Sequence, residues 1–421
     1  MTHIPTVWHP YTQHGQNQPI MEVERAQGVW LYTTDGRRIL DAISSWWVNL
    51  HGHGHQRIVK AITQQAQQLE QVIFAGFTHA PAEDLAQQLL ALAPKNLETV
   101  FYSDNGSTAV EVALKMAVGH FHNQGRPRHL FVAFEHAYHG DTVGAMSVGA
   151  PGPFTAFYQR LLFPVQRIPF PEAGQEEETL RVFRQMLTQQ GDDIAGLIIE
   201  PLILGAGGMR TYAPELIREL RALCDHYGVL LIADEVMTGF GRTGTLFAME
   251  QTGVAPDLMC LSKGITGGFL PLGATLATGE VFKSFLATDR AKAFYHGHSY
   301  TANPLACAAA LANLEVFRTE PVWERISTIS DTHYQELLAL ADEPAVVAVR
   351  QAGTIAAVEF RAEDEGYLSH RAPSLANFFL SRNILLRPLG NVVYILPPYC
   401  ITPQELHEVY EAIHESIDFQ P

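Results

Sequence analysis

The chain has 421 residues, 47% of them apolar and 17% charged, which is ample material for one large or two moderate hydrophobic cores and excludes a disordered polymer. Its 28 Lys and Arg against 44 Asp and Glu leave a formal charge of −16, which repels nucleic acid and anionic membranes, so any bound anion must be held by a local site. Cys224, Cys260, Cys307 and Cys400 stand far apart without a CxxC pair, and no run approaches the roughly 18 uncharged apolar residues of a membrane span, so an unexported protein of the reducing cytoplasm is expected.

In chain order, the first fifty residues predict a short meander, with Val29-Trp-Leu-Tyr followed by a turn at Thr34-Asp-Gly. Leu50-His-Gly-His-Gly-His55 then places His51, His53 and His55 alternately. Alternate histidines can converge on zinc, but no Cys or carboxylate follows at ligand spacing and the glycines suit a tight loop, so no metal is expected. Apolar β-rich runs follow at Thr99–Ser103, Leu130–Phe134, Leu197–Glu200, Val229–Ala233 and Leu258–Leu261. Between them lie helical patterns such as Val110, Ala113, Leu114, Ala117 and Leu216, Leu220, Leu223. This alternation predicts an α/β fold with a mainly parallel sheet covered by helices on both faces. The acidic stretch Pro171–Glu178 reads as a surface loop, and the last hundred residues mix strands Thr354–Phe360 and Val392–Leu396 with helices. A small α+β domain built from residues 1–52 and 322–421, around a large domain of 53–321, is therefore expected.

Four pieces carry chemistry. Ser103-Asp-Asn-Gly106-Ser107-Thr108 is a strand end, a turn and a helix opening, whose N–H groups and positive dipole end favour a phosphate, although many helices open this way without one. Tyr138-His139-Gly140-Asp141 follows a strand and offers either a ring to stack on a planar ligand or simple packing. Leu230-Leu-Ile-Ala-Asp234 places an acid at the carboxyl end of an apolar strand, where α/β sheets bind ligands; standing alone, it could equally cap the next turn. Leu258-Met-Cys-Leu-Ser-Lys263-Gly puts a lysine directly after another apolar strand. A desolvated lysine readily loses its proton, and a neutral amine is what Schiff-base chemistry requires.

In chain order, the phosphate loop, aromatic, acid and lysine resemble the class III aminotransferases of the fold-type-I pyridoxal 5′-phosphate (PLP) enzymes, over nearly the whole chain. Asp234-Glu-Val-Met-Thr-Gly-Phe-Gly-Arg-Thr-Gly, with Lys263 at 263 − 234 = 29 residues on, carries the most specific part of the match. Trp8-His-Pro-Tyr-Thr, Ser44-Ser-Trp-Trp, Thr78-His-Ala-Pro-Ala, Gly205-Ala-Gly-Gly-Met, Asn303-Pro-Leu-Ala-Cys and Leu386-Arg-Pro-Leu-Gly resemble the branch that aminates 8-amino-7-oxononanoate to 7,8-diaminononanoate in biotin biosynthesis, with S-adenosylmethionine as donor.

The resemblance implies a seven-stranded sheet with a homodimer as the working unit. It further implies that Lys263 holds PLP as a Schiff base, Asp234 pairs with its ring nitrogen, Tyr138 stacks on the ring, and Gly106 and Ser107 hold the phosphate. Ser299 would reach the phosphate of the neighbouring subunit, and Tyr11, Trp46, Trp47, Gly297 and Arg387 would bind substrate. Arg387 offers a carboxylate a planar fork, or else makes a structural ion pair. Two departures bear on this. Gly297-His298-Ser299 replaces the usual Gly-Pro-Thr, a form shared with relatives that use lysine as donor, and Leu204 replaces a common Gln. Other ω-aminotransferases using 2-oxoglutarate, and PLP aminomutases, share the lysine and aspartate. Ser44-Ser-Trp-Trp and the Trp8-His-Pro-Tyr start argue against both.

Overall fold

A computed structural model of the chain describes residues 6–16, 20–362, 371–417 and 419. Its largest element is a seven-stranded sheet in the spatial order Leu97–Ser103, Gly273–Thr278, Leu258–Leu261, Leu230–Asp234, Ile194–Ile199, Leu130–Phe134, Gln166–Ile168. The last five run parallel to one another, and Gly273–Thr278 is antiparallel to both of its neighbours. Helices cover both faces, which is why Ile194–Ile199 is apolar and buried at every position instead of alternating. On one face Gly106–Asn123 packs Val110, Ala113 and Ala117 against Phe131, Ile198, Ile232 and Cys260. On the other, Glu176–Gln190 and Pro214–Tyr227 pack Phe183, Leu187, Leu216 and Leu220 against Leu197, Ile199 and Leu231.

Leu130–Phe134 and Leu258–Leu261 match the expected strands, and the other three differ from expectation by one to three residues at an end. Gln166–Ile168 and Gly273–Thr278 were not foreseen. The first is a three-residue polar edge, and the second is built of Gly, Ala and Thr with a single Leu, so neither shows an apolar run. The loop expected over Pro171–Glu178 stops short. Glu176, Glu177 and Glu178 form the first turn of the helix Glu176–Gln190, where acidic side chains are favoured by the positive end of the helix dipole.

The chain ends build the remaining sheets. Val23–Gln27, Trp30–Thr33 and Arg38–Asp41 form the expected meander, and Ile384–Leu385 adds to it in parallel. Val346–Ala352, Ile355–Phe360 and Val392–Ile395 make a three-stranded antiparallel sheet. The large sheet sets the functional geometry. Because Leu130–Phe134, Ile194–Ile199, Leu230–Asp234 and Leu258–Leu261 run in one direction, the residues that follow them emerge at one edge.

Candidate active site

Lys263 leaves Leu258–Leu261 with φ 46° and opens a single 3₁₀ turn, Lys263–Thr266. A non-glycine residue in this left-handed region costs about 1–3 kcal/mol and persists only where its surroundings impose it. The preceding Ser262 is tied down, its hydroxyl donating to the carbonyl of Leu272 at 2.7 Å. Lys263 Nζ lies 4.7 Å from the ring centroid of Trp47. Burial pushes the Lys263 ammonium below its ordinary range, against the pull of Asp234 and Glu200 and with help from Arg242. The neutral amine is thereby favoured.

Asp234 ends its strand with only 5% of its surface exposed. One carboxylate oxygen accepts the Val236 N–H at 3.1 Å, and the other lies 2.7 Å from His139 Nδ1. Beside them Glu200, just after Ile194–Ile199, accepts the N–H groups of Tyr138 and Gly205 at 3.0 Å each. Burial raises the Glu200 carboxyl to about 7; the nearby Asp234 adds to this, while His139 and the two amide donors oppose it.

A cavity of about 710 Å³ at this sheet edge is lined by Gly106, Ser107, Tyr138, His139, Glu200, Asp234 and Lys263. The helix Gly106–Asn123 opens onto it. Asn105 accepts the Thr108 N–H at 3.0 Å and the Thr108 hydroxyl lies 3.1 Å from the Asn105 N–H, a reciprocal cap. A second cavity of about 450 Å³ is lined by Tyr11, Trp46, Phe154, Arg387 and Tyr394. The two share Trp47, Tyr138, Gly140, Asp141 and Lys263, so the lysine stands where they meet.

The wall between them is strained and braced. Ser44, Ser45 and Trp47 all take positive φ. The buried Asp41 carboxylate accepts the Ser45 N–H at 2.7 Å and contacts His53 Nε2 at 3.0 Å. The Ser44 hydroxyl donates to the Leu396 carbonyl at 2.8 Å, and Trp47 Nε1 donates to the Tyr394 hydroxyl at 3.0 Å. Trp47 is thus fixed beneath the lysine, whereas Trp46 is 39% exposed and stacks toward the Arg387 guanidinium, whose Cζ is 4.6 Å from its ring centroid.

Of the residues singled out in the sequence, Lys263, Asp234, Tyr138, Gly106, Ser107, Tyr11, Trp46, Trp47 and Arg387 line one or both cavities. Gly297 and Ser299 line neither, and both are exposed. Leu204 is buried in the hydrophobic cluster beneath Glu176–Gln190 and Pro214–Tyr227. The three loop histidines diverge, His51 to Asn313, His53 to Asp41 and His55 to Glu320. Among the described residues no three His, Cys, Asp or Glu side chains converge as metal ligands. His139 and Asp141 stand in the motif that carries Tyr138 but have no role of their own in the sequence reading, and Glu200 was missed. Glu200 carried the same mark as Asp234, an acid after an apolar strand, and Asp141 accepts a hydrogen bond from the Tyr11 hydroxyl.

A planar, phosphate-bearing aldehyde fits these residues. The cavity carries a desolvated lysine, a buried carboxylate and two buried polar atoms without a protein partner among the described residues, His139 Nε2 and Thr142 Oγ1. The backbone at the helix opening is close-packed: a Cβ on Gly106 would stand 2.6 Å from Val236 Cγ1, and one on Gly140 2.1 Å from Ser107 Oγ.

Comparison with known proteins places relatives beside this geometry. The family model described as Aminotransferase class-III matches residues 11–417. An adenosylmethionine-8-amino-7-oxononanoate aminotransferase from Synechococcus elongatus is 49% identical over 98% of this chain and 99% of its own. The crystal structure of an enzyme of the same name from Methanocaldococcus jannaschii superposes with a TM-score of 0.94 at 37% identity, covering 98% of this chain and 96% of that one. An amine transaminase from an uncultivated Pseudomonas species, solved in its PLP-bound internal aldimine form, superposes with a TM-score of 0.93 at 30% identity over 99% of both chains.

Proposed function

The chain belongs to the class-III aminotransferases, and from that premise we propose that it transfers an amino group to the keto carbon of 8-amino-7-oxononanoate, with S-adenosylmethionine as donor and PLP as cofactor. The observation that carries this reading is Lys263, half-buried where the cavity that holds Asp234 and Glu200 meets an aromatic one. When bound, PLP supplies an electrophilic carbonyl carbon and a ring that accepts electron density from the substrate.

The remaining work falls to side chains. Asp234, gripped by the Val236 N–H and His139, would pair with the ring nitrogen and hold a proton there. Lys263 would serve as the base that takes the proton from the donor's Cα and delivers it to the carbon on the far side of the transferred nitrogen, its reach set by the fixed turn. Gly106 and Ser107 would hold the phosphate at the helix opening, and Tyr138 would stack on the ring. Arg387 binds the substrate carboxylate, with Tyr11, Trp46 and Trp47 around the aliphatic chain or the sulfonium.

A homodimer completes the site in this reading, with Ser299 and Gly297 serving the neighbouring subunit. Supporting it, Gln71 Nε2 donates to the Ser299 carbonyl at 2.8 Å, and nearby Ile73, Phe77, Tyr295 and Tyr300 are each more than 60% exposed, an apolar surface suited to a second chain. We assign residues 1–52 and 322–421 to a small domain and 53–321 to a large one, supported by the sheet that Ile384–Leu385 shares with Arg38–Asp41. A cytoplasmic setting is supported by four free cysteines, and no helix among the described residues is long and apolar enough to cross a membrane.

Lysine as donor is the competing reading, and it rests on His298 and Ser299. In the homodimer Ser299 would reach the phosphate of the neighbouring subunit and so bears on cofactor anchoring, whereas Trp46 lines the second cavity, so donor choice is assigned to the tryptophan. Rapid mixing of the holoenzyme with each donor tests this: adenosylmethionine should bleach the visible cofactor band much faster than lysine, and Trp46→Ala should slow it. Faster bleaching by lysine at equal concentration would overturn the choice of donor.

A further inference from the structure

The turn that begins at Lys263 is held from below by a residue outside both cavities. Asn313, fully buried on the helix Pro304–Thr319, donates its amide nitrogen to the carbonyls of Gly264 at 3.0 Å and Ile265 at 3.1 Å. Its Oδ1 lies 2.8 Å from His51 Nε2. With both amide N–H groups directed at carbonyls, Oδ1 is the acceptor, so His51 carries its proton on Nε2. Burial lowers the His51 imidazole to about 3, so the ring is neutral and the tautomer unambiguous. The ring is itself wedged edge-on against Phe317 and Tyr399, with centroids 5.0 and 6.1 Å away.

The two segments are also joined through their backbones. The Leu50 N–H donates to the Gly267 carbonyl at 3.5 Å. A Cβ on Gly268, which has φ +88°, would stand 2.8 Å from the Val48 carbonyl carbon. The loop that carries Trp47 on one side and His51 on the other is thus the seat of the lysine turn.

We propose that Asn313, oriented by His51, is the positioning residue for Lys263: its amide ties down the Gly264 and Ile265 carbonyls of the Lys263–Thr266 turn and so imposes the left-handed backbone that keeps the amine at the junction of the cavities. This gives Leu50–His55 a role that its alternate histidines did not suggest. It rests on Lys263 being the lysine of the proposed function. Side chains that fix a reacting group act on the chemical step more than on binding, and a displacement of about 1 Å can cost about 100-fold in rate.

The test uses the holoenzyme with Asn313→Leu, His51→Phe and His51→Gln, measuring kcat and KM together with hydrogen–deuterium exchange of the peptide spanning 262–270. His51→Phe keeps the ring packing and removes the donor, whereas His51→Gln restores a donor near the Nε2 position. Asn313→Leu and His51→Phe should lower kcat at least about 10-fold with KM within about two-fold, and exchange should quicken in 262–270 while the flanking core stays protected. His51→Gln should recover most of both. A folded Asn313→Leu or His51→Phe enzyme with kcat within about two-fold of the parent would overturn the proposal, as would exchange that rises uniformly across the chain. If Asn313→Leu does not fold, the contrast between His51→Phe and His51→Gln decides alone. Full turnover by Lys263→Ala would instead remove the lysine from the mechanism, an outcome distinct from failure of the clamp.

Discussion

His139 Nδ1 stands 2.7 Å from one oxygen of Asp234, and the other oxygen accepts the Val236 N–H, so the carboxylate is gripped from both sides at the end of a buried strand. A carboxyl gripped in that way cannot turn away, which is what holding a proton on a cofactor ring demands. Asp234→Asn should leave the fold intact yet lower kcat/KM by about 100-fold or more, because removing one partner of a buried charged pair costs about 3–5 kcal/mol. Turnover within a few-fold of the parent, with an unchanged melting temperature, would remove the electron-sink role from this residue.

Lys263→Ala should yield a protein that no longer shows the borohydride-reducible cofactor linkage and no longer turns over. The expected readout on the parent is a reduced, labelled peptide that contains Lys263. A label on any other lysine would contradict the assignment.

These two residues were legible in the sequence for a simple reason: each ends an apolar strand, and strand ends in a parallel sheet converge. Glu200 obeys the same rule and was open to the same reading, but one acid after one strand carries no chemistry until its neighbours are known. The Tyr11–Asp141 hydrogen bond and the Asn313–His51 clamp were not legible. Their members lie 130 and 262 residues apart, and Asn313 sits in an alanine-rich helix with no local mark. The strand Gly273–Thr278 is hidden because its small residues form no apolar run, and the acidic stretch ending at Glu178 reads as loop because its charges, which favour a helix start, also favour a solvated coil.

Arg387→Lys should raise KM for the keto acid by about 10-fold or more while leaving cofactor affinity unchanged, since a point charge cannot reproduce two parallel hydrogen bonds to a carboxylate. The guanidinium also stacks toward Trp46 and Tyr11, with Cζ at 4.6 and 5.7 Å from their centroids, and the lysine would lose that contact as well. Unchanged Michaelis constants for every carboxylate substrate would make Arg387 structural.

Glu200 gives a prediction in pH. Its folded pKa of about 7 exceeds the ordinary 4.5, so the folded state binds the proton more tightly than the unfolded state. The stability this provides is fully present below pH 4.5 and is lost as pH rises through about 7, a span worth roughly 3 kcal/mol. Glu200→Gln cannot titrate. The parent's stability advantage over this variant, from denaturant melts, should therefore shrink between pH 5 and pH 8; an advantage constant with pH would contradict the raised pKa.

The measurement that bears most directly on the whole account is product formation by the purified holoenzyme given 8-amino-7-oxononanoate and S-adenosylmethionine, with the diamine followed by mass spectrometry. The account predicts 7,8-diaminononanoate in stoichiometric excess over enzyme, dependent on both substrates and abolished by Lys263→Ala. No diamine with any donor, from an enzyme that readily transaminates ornithine or 4-aminobutyrate with 2-oxoglutarate, would contradict it.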